Sequence, residues 1–401
     1  MLDFDLAQQR LVQCAKPVNA TTIVGLAQAS TRVLAESLVA SVDLPPGDNS
    51  AMDGYALRFA DFVEGESMPI QQRCYAGDLP APLVAGSVTR LFTGSLIPQG
   101  ADTVVMQEQA SEHNDRVDFA ETPREGKHIR WRGEDVATGQ ALLAAGTRIG
   151  PAHIALIASQ GISSVRVFER LRVGILTTGD ELVAPGEPRA AQQIYNSNAA
   201  MLAALVEGMG ASAAQVRHAR DDVDALRSAL TELADQCDLV LTVGGVSVGE
   251  RDLIKPVLES LGGELALWKV RMKPGKPMAL AQIGDTPVVC LPGNPGSVYA
   301  VFTVMVTPLI RRMQGRADVF PIVSHLPMRT PRTLLEPREV FVRVRLTIDS
   351  NGTAELVPFG SQGAGNISAM PGAQGLARLA ADTPVSDRSH VAYYDFQHWL
   401  L

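Results

Sequence analysis

Apolar residues from position 5 to about 40 recur at helical spacing until Pro45-Pro46-Gly47 interrupts them, which predicts a helical lead-in. From 48 to about 134 the pattern shifts to short alternating runs, at 88–92, Thr103–Met106 and Arg116–Phe119, divided by Gly and Pro; this predicts a β-rich region. A second helical stretch, Pro151–Ser159, opens on a proline and ends before Gly161, and it is expected to pack beside the first. Between about 171 and 312, apolar strand, Gly-rich turn and helix alternate, as in LRVGILTTGD, SNAAMLAALVEGMG and CDLVLTVGG, which predicts an α/β domain. Its clearest helix, 222–237, puts Val223, Leu226, Leu230, Leu233 and Cys237 on one face. The apolar stretch 298–310 ends at Arg311, short of the roughly 20 residues that span a bilayer, and reads as a buried helix. After about 320, alternation such as FVRVRL at 341–346 predicts a small all-β module.

A chain of 401 residues exceeds one core, so several domains are expected, and 46% apolar residues suffice to fill them. Its net charge of -8 supplies no global positive field, which argues against a nucleic-acid or anionic-membrane partner and leaves anion binding to local clusters. The four cysteines are scattered without a CxxC, consistent with a reducing cytoplasm rather than a disulfide framework. The N-terminal MLDFDLAQQR lacks the apolar core of an export signal.

Four segments of the α/β region follow expected strands, where open α/β sheets bind ligands. In Thr177-Thr178-Gly179-Asp180-Glu181-Leu182 two adjacent acids suit a hard cation, or else form a solvated turn or cap. In TVGGVSVGERD, at 242–252, Gly244, Gly245, Ser247 and Gly249 suit an anion nest or a structural turn, with Asp252 beyond them. Lys269, Arg271, Lys273 and Lys276 crowd a stretch stiffened by KPGKP and suit phosphate or molybdate, or form a solvated face. Pro292-Gly293-Asn294-Pro295-Gly296-Ser297 leads into the apolar helix, whose N-terminus favours an anion; a plain junction is the alternative. A fifth segment, DNSAMDGYA at 48–56, offers Asp48 and Asp53 in a tight loop, and further acids stand at RGED, 132–135, and at Asp221-Asp222, where helix capping is an equal reading. No HExxH or Gly-x-Ser-x-Gly pattern occurs, so the inventory suits metal-assisted transfer or hydrolysis at a phosphoanhydride.

In order and wording, DNSAMDGYA, LFTGSLIP (91–98), RGED, TTGDEL, TVGGVSVGERD, KPGKP and LPGNPGS resemble the MoeA family of molybdopterin molybdenumtransferases, to which the gephyrin E-domain is related. The resemblance spans nearly the whole chain and implies an elongated, multidomain α/β plus β subunit. Its parts are a helical/linker domain (1–44 with 138–168), a β-rich domain (45–137), a MogA-like α/β molybdopterin-binding domain (169–318) and a small C-terminal β-barrel-like domain (319–401). It further implies a homodimer with a cleft shared between the α/β domain of one subunit and the β-rich domain of the other. The implied reaction takes adenylated molybdopterin and molybdate, with a divalent cation such as Mg²⁺, releases AMP and leaves molybdenum on the pterin dithiolene.

Carried over by motif, Asp53, Thr93, Asp135, Lys269, Lys273 and Lys276 are the catalytic set, and Glu181, Asp221 and Asp252 the metal set. Thr178, Gly179, Asp180, Gly244, Gly245, Ser247, Gly249, Pro292, Gly293, Asn294, Pro295 and Ser368 would bind the pterin. An adenylyltransferase partner and acceptor molybdoenzymes also follow from the resemblance. A molybdopterin adenylyltransferase, which needs only the α/β domain, and a non-catalytic pterin-binding scaffold are the alternatives. The match departs from the family pattern at 363–368 and at Gly375–Leu379, which are less Ser-rich and less apolar.

Overall fold

The computed structural model describes residues 1–245 and 253–400. The chain divides into two compact units: one comprises 37–144 and 156–162, the other 1–36, 145–155 and 163–401.

The smaller unit carries β1 (Gly54–Leu57), β2 (Met68–Cys74), β3 (Val88–Leu91), β4 (Thr103–Met106), β5 (Ala110–His113) and β6 (Arg116–Phe119) in the order β4-β1-β3-β2-β6-β5. Only β2 and β3 run parallel in this sheet. Tyr55 and Leu57 join Val105 in one cluster while Ala56 joins Val104 in another, so period-two alternation buries both faces. Gly54 is dictated by packing, since a Cβ there would stand 2.0 Å from the Val105 carbonyl oxygen.

In the larger unit the helical lead-in reduces to α1 (Phe4–Gln13), capped by Asp3, whose carboxylate accepts from the amides of Asp5 and Leu6, and to a single four-residue helical turn at Leu26–Ala29. The expected helix does not continue to 40. Past Pro17 the β-branched run Thr21-Thr22-Ile23-Val24 prefers extended backbone, and Thr21–Gly25 pairs antiparallel with Ser164–Phe168. The second expected helix, α2 (Pro151–Ser159), forms over the expected span.

The central sheet is built from β7 (Arg172–Thr178), β8 (Ser212–Ala219), β9 (Leu239–Val243), β10 (Glu264–Trp268), β11 (Ala279–Ile283) and β12 (Thr286–Leu291), ordered β8-β7-β9-β12-β11-β10. The first four are mutually parallel, and the last two add antiparallel pairs. Crossovers run through α3 (Ser197–Gly208), α4 (Val223–Gln236) and α5 (Ile254–Ser260). The buried helix starts as α6 (Pro295–Val301), passes through one π segment at Phe302–Val306 and ends as α7 (Thr307–Met313). No helix among the described residues is long and apolar enough to cross a membrane.

The C-terminal strands β13 (Ser324–Met328), β14 (Glu339–Ile348), β15 (Ala354–Pro358), β16 (Gly375–Leu379) and β17 (Ser389–Asp395) pair around a closed ring, β14-β15-β13-β17-β16 and back to β14. Val342, Val344, Leu356, Ala377 and Tyr393 fill it. The architecture is the multidomain α/β plus β arrangement with a small terminal barrel that the sequence predicts.

Candidate active site

From β7 the chain crosses to β8 on one side and then to β9 on the other, so the strand order reverses between β7 and β9. A crevice opens outside the carboxyl ends of strands at such a point. The register puts Thr178 beside Ala219, Thr177 beside Val243, and Val243 beside Leu291. TTGDEL, Asp221-Asp222, the Gly244-Gly245 turn and LPGNPGS therefore leave one edge.

Glycine is required where these loops touch. Gly244 has φ +93°, and a Cβ on it would lie 2.9 Å from the Thr178 carbonyl oxygen. Gly245, at φ +64°, would drive a Cβ to within 2.8 Å of Ile254. Gly293 comes to 4.0 Å from Gly244 by the same measure. At Gly179, φ +141°, the absent side chain leaves room for the Glu181 carboxylate, which a Cβ would meet at 2.5 Å.

The two acids at 221–222 divide the roles left open by the sequence. Asp222 caps α4, accepting from the Ala225 amide at 2.9 Å. Asp221 instead accepts a 2.6 Å hydrogen bond from the Thr178 hydroxyl, and its own amide donates to Asp180 Oδ1 at 3.4 Å. Thr178 is buried, Asp221 half-buried, and Asp180 and Glu181 exposed. Two asparagines brace this edge: Asn196 caps α3 and donates to Thr177 Oγ1 at 2.8 Å, and Asn198 donates to the Gly293 carbonyl at 2.7 Å.

Asn294 is the N-cap residue of α6, Pro295 its first residue, and Pro292 is buried. One N–H of this terminus is already engaged, because the Gly296 amide donates to the Ala364 carbonyl at 2.8 Å. The loop supplying that carbonyl is held by buried Arg343, whose guanidinium donates to the carbonyls of Ser361 and Gly363. Ser197, Met201, Pro295, Tyr299, Ile367 and Met370 line an apolar cavity of about 280 Å³ there; Ser368 stands exposed between its last two walls.

Ala279 pairs with Cys290 on one side and Trp268 on the other, so the lysine-rich turn leaves β10 at the edge where LPGNPGS begins. Lys269 is half-buried with φ +61°; Lys273 and Lys276 are exposed. Gly275, at φ +114°, packs where a Cβ would meet Val301 at 2.4 Å, which fixes the turn on α6. Lys273 is not a free cation, for its ammonium pairs with Glu336 at 3.2 Å.

In the smaller unit, Asp53 and Thr93, distant in sequence, form one group: Asp53 Oδ1 accepts from the Thr93 amide at 2.7 Å and its hydroxyl at 2.8 Å. These bonds, helped by the Arg90 charge, hold the Asp53 carboxyl below its ordinary pKa. Buried Arg90 spans the floor, donating to the Gly54 carbonyl and to Gln107 Oε1, with its guanidinium over the Tyr55 and Phe92 rings. The RGED loop joins the same strip: Asn49 and Ser50 pair with Arg130 and Ile129, and the Arg132 amide donates to Asp48 Oδ1. Asp135 is exposed, anchored through its amide to the Leu44 carbonyl.

Asp43 was not singled out by motif, yet it secures this loop. Its Oδ1 accepts from the Thr138 amide and hydroxyl, and its Oδ2 from Arg132. Those bonds, the Thr138 amide first, pull its carboxyl down to about 2. Arg343 and Asn198 carry no signal in the sequence; an arginine within an alternating strand reads as a solvent residue, and only the fold turns it inward. Ser247, Gly249 and Asp252 lie outside the described residues. Among the described ones, no cluster of three or more His, Cys, Asp or Glu has metal-site geometry; of the metal set, Asp221 joins Asp180 and Glu181 stands beside Gly179.

Three family models cover the chain: the MoeA N-terminal region (domains I and II) at residues 2–161, a probable molybdopterin binding domain at 174–312, and the MoeA C-terminal region (domain IV) at 325–396. A molybdopterin molybdenumtransferase of Haemophilus influenzae is 34% identical over 92% of each chain. One from Nostoc sp. is 36% identical over 85% of this chain and 77% of its own. The crystal structure of the molybdopterin biosynthesis MoeA protein from Pyrococcus horikoshii superposes with a TM-score of 0.84 at 26% identity, covering 98% of this chain and 99% of that one. With relatives of this identity over nearly its full length, the chain belongs to the MoeA family of molybdopterin molybdenumtransferases.

Proposed function

We propose that this protein inserts molybdenum into molybdopterin, taking adenylated molybdopterin and molybdate and releasing AMP, in the cytoplasm and as a homodimer. The observation that carries the reading is the convergence of TTGDEL, Asp221, Gly244-Gly245 and LPGNPGS on one edge at the strand-order reversal, with the lysine turn leaving the same edge. The relatives' shared name supplies the transfer of molybdenum to molybdopterin, and the motif resemblance supplies the adenylated substrate and the release of AMP.

Asp180, Asp221 and Glu181 carry the hard carboxylate oxygens that Mg²⁺ prefers, and Gly179 leaves space for the last; the three would have to draw together around the cation. Bound there, the cation would neutralise phosphate charge. Asp252 belongs to the same proposed set. Asp53 is too weak a base to take a proton efficiently at neutral pH, because two hydrogen bonds stabilise its anion. It acts as a fixed carboxylate that orients water or the cation, together with Asp135, while Thr93 sets its rotamer. Lys269, Lys273 and Lys276 hold phosphate and molybdate oxygens and stabilise charge as AMP departs. The Lys273–Glu336 pair is about half-exposed and worth little, so an arriving dianion displaces Glu336. Gly244, Gly245, Ser247 and Gly249 cradle the phosphates with Thr178, and Pro292, Gly293, Asn294, Pro295 and Ser368 shape the pterin end. The four-part division 1–44 with 138–168, 45–137, 169–318 and 319–401 is proposed with it.

Asp53 and Lys273 lie in different units, and we assign them to one cleft completed by two subunits. Mixing inactive Asp53→Ala with inactive Lys273→Ala tests this. Reassorted dimers would regain about a quarter of wild-type activity, since each mixed dimer holds one intact cleft. If the mixture stays inactive after verified subunit exchange, the shared cleft is wrong.

A further inference from the structure

The smaller unit contains a second cavity, of about 290 Å³, whose lining includes no residue of the family motifs, although Ala51 and Gly54 of DNSAMDGYA pair with its walls. Its floor is the strand end Val104-Val105-Met106, and its polar wall is made by Gln109, Glu121, Thr122, Arg124, Lys127 and His128. Arg124, Lys127 and His128 thus line one small volume with Glu121 as its single acid, in a protein of net charge -8. Among the described residues, Arg124, Lys127 and His128 have neither a hydrogen-bond nor an ion-pair partner of their own side chains.

The wall is built rather than loose. The Lys127 amide donates to the Arg124 carbonyl at 3.2 Å, closing a turn through Gly126 at φ +73°. The Gly126 amide donates to Thr103 Oγ1 at 3.2 Å, and the Val104 amide to the Lys127 carbonyl at 3.1 Å. His128 is held at φ +60°, and its carbonyl accepts from the Ala51 amide at 2.9 Å. Four hydrogen bonds therefore fix the loop that carries Arg124 and Lys127, while the two exposed side chains keep their rotamer freedom and become ordered only on an anion. The volume sits at the lower end of ligand pockets, near 300 Å³, which limits the occupant to a small molecule. Arginine and lysine with Thr122 and Gln109 present donors suited to a tetrahedral dianion.

We propose that this cavity binds a small tetrahedral oxyanion, through Arg124 and Lys127, at a site separate from the α/β edge. The same chemistry fits a free oxyanion such as molybdate and the phosphate of a monoester such as AMP. Calorimetric titration of the full chain with sodium molybdate, and separately with AMP at matched ionic strength, reads binding directly, whatever the chain's turnover. The expected result in the Lys273→Ala/Lys276→Ala background is a saturable event with one or both probes that weakens about tenfold or more on addition of Arg124→Ala/Lys127→Ala. That addition should leave the melting temperature unchanged, as both side chains are exposed. Preference for molybdate identifies a free oxyanion, and preference for AMP a monoester. Loss of all binding in the Lys273/Lys276 variant, no change on adding Arg124→Ala/Lys127→Ala to it, or no binding of either probe would overturn the proposal.

Discussion

Replacing Gly244 with alanine tests whether the crevice depends on close backbone approach. Two costs add at this position. A left-handed backbone at φ +93° penalises any L side chain by about 1–2 kcal/mol. The new Cβ would also stand 2.9 Å from the Thr178 carbonyl oxygen and 3.3 Å from its methyl group, both in a buried strand end that cannot swing aside. Overpacking of this kind costs about 1–3 kcal/mol. Gly262 provides the control, because it has φ +74° with nothing within 4 Å, so Gly262→Ala bears only the backbone cost. Urea unfolding should therefore show Gly244→Ala roughly 1–3 kcal/mol less stable than Gly262→Ala. Relief of the clash must move Thr178, and with it the Asp221 carboxylate that accepts its hydroxyl hydrogen. Molybdate-dependent AMP release should fall by about tenfold or more in Gly244→Ala and stay within about twofold in Gly262→Ala. Equal stability and equal turnover of the two variants would refute the reasoning.

Three further outcomes are expected. Arg378 bridges Asp5 and buried Glu339 at 2.6–2.8 Å and lies over the Phe4 ring, so Arg378→Met, which strands Glu339, should lower stability by about 3 kcal/mol in thermal unfolding; an unchanged melting temperature would contradict this. The folded Asp43 carboxyl lies near 2, below the ordinary 3.8, so its contribution is complete above about pH 3.8 and disappears as pH falls through about 2. The stability gap between wild type and Asp43→Asn should accordingly close on acidification over that window, and a gap that widens would reverse the assignment. Burial pushes the Cys290 thiol up to about 11, and raises Cys74 and Cys237 as well, whereas Cys14 is exposed. A chromogenic disulfide reagent near pH 8 should thus titrate one thiol in the native protein and all four after unfolding.

Periodicity was sufficient where one face of an element is buried against one neighbour. Leu226, Leu230 and Leu233 mark α4 within a residue of its ends, and Val342 and Val344 mark the barrel strand. It misled at 21–25, where apolar spacing compatible with a helix belongs to a β-branched strand whose partner lies at 164–168 and leaves no local trace. The site follows the same division. Loops after strands were legible as ligand loops because chain direction alone puts them on one edge. The pairing of Asp53 with Thr93, of Asp43 with Thr138 and of Arg343 with the loop before Ser368 joins residues distant in sequence, and no spacing rule contains them.

The central claim is met most directly by giving the purified full-length protein adenylated molybdopterin and Mg²⁺, with and without molybdate, and measuring AMP together with pterin-bound molybdenum. The account predicts AMP release that requires molybdate and matches the molybdenum retained on the pterin mole for mole. AMP release indifferent to molybdate, or none in its presence, would contradict it.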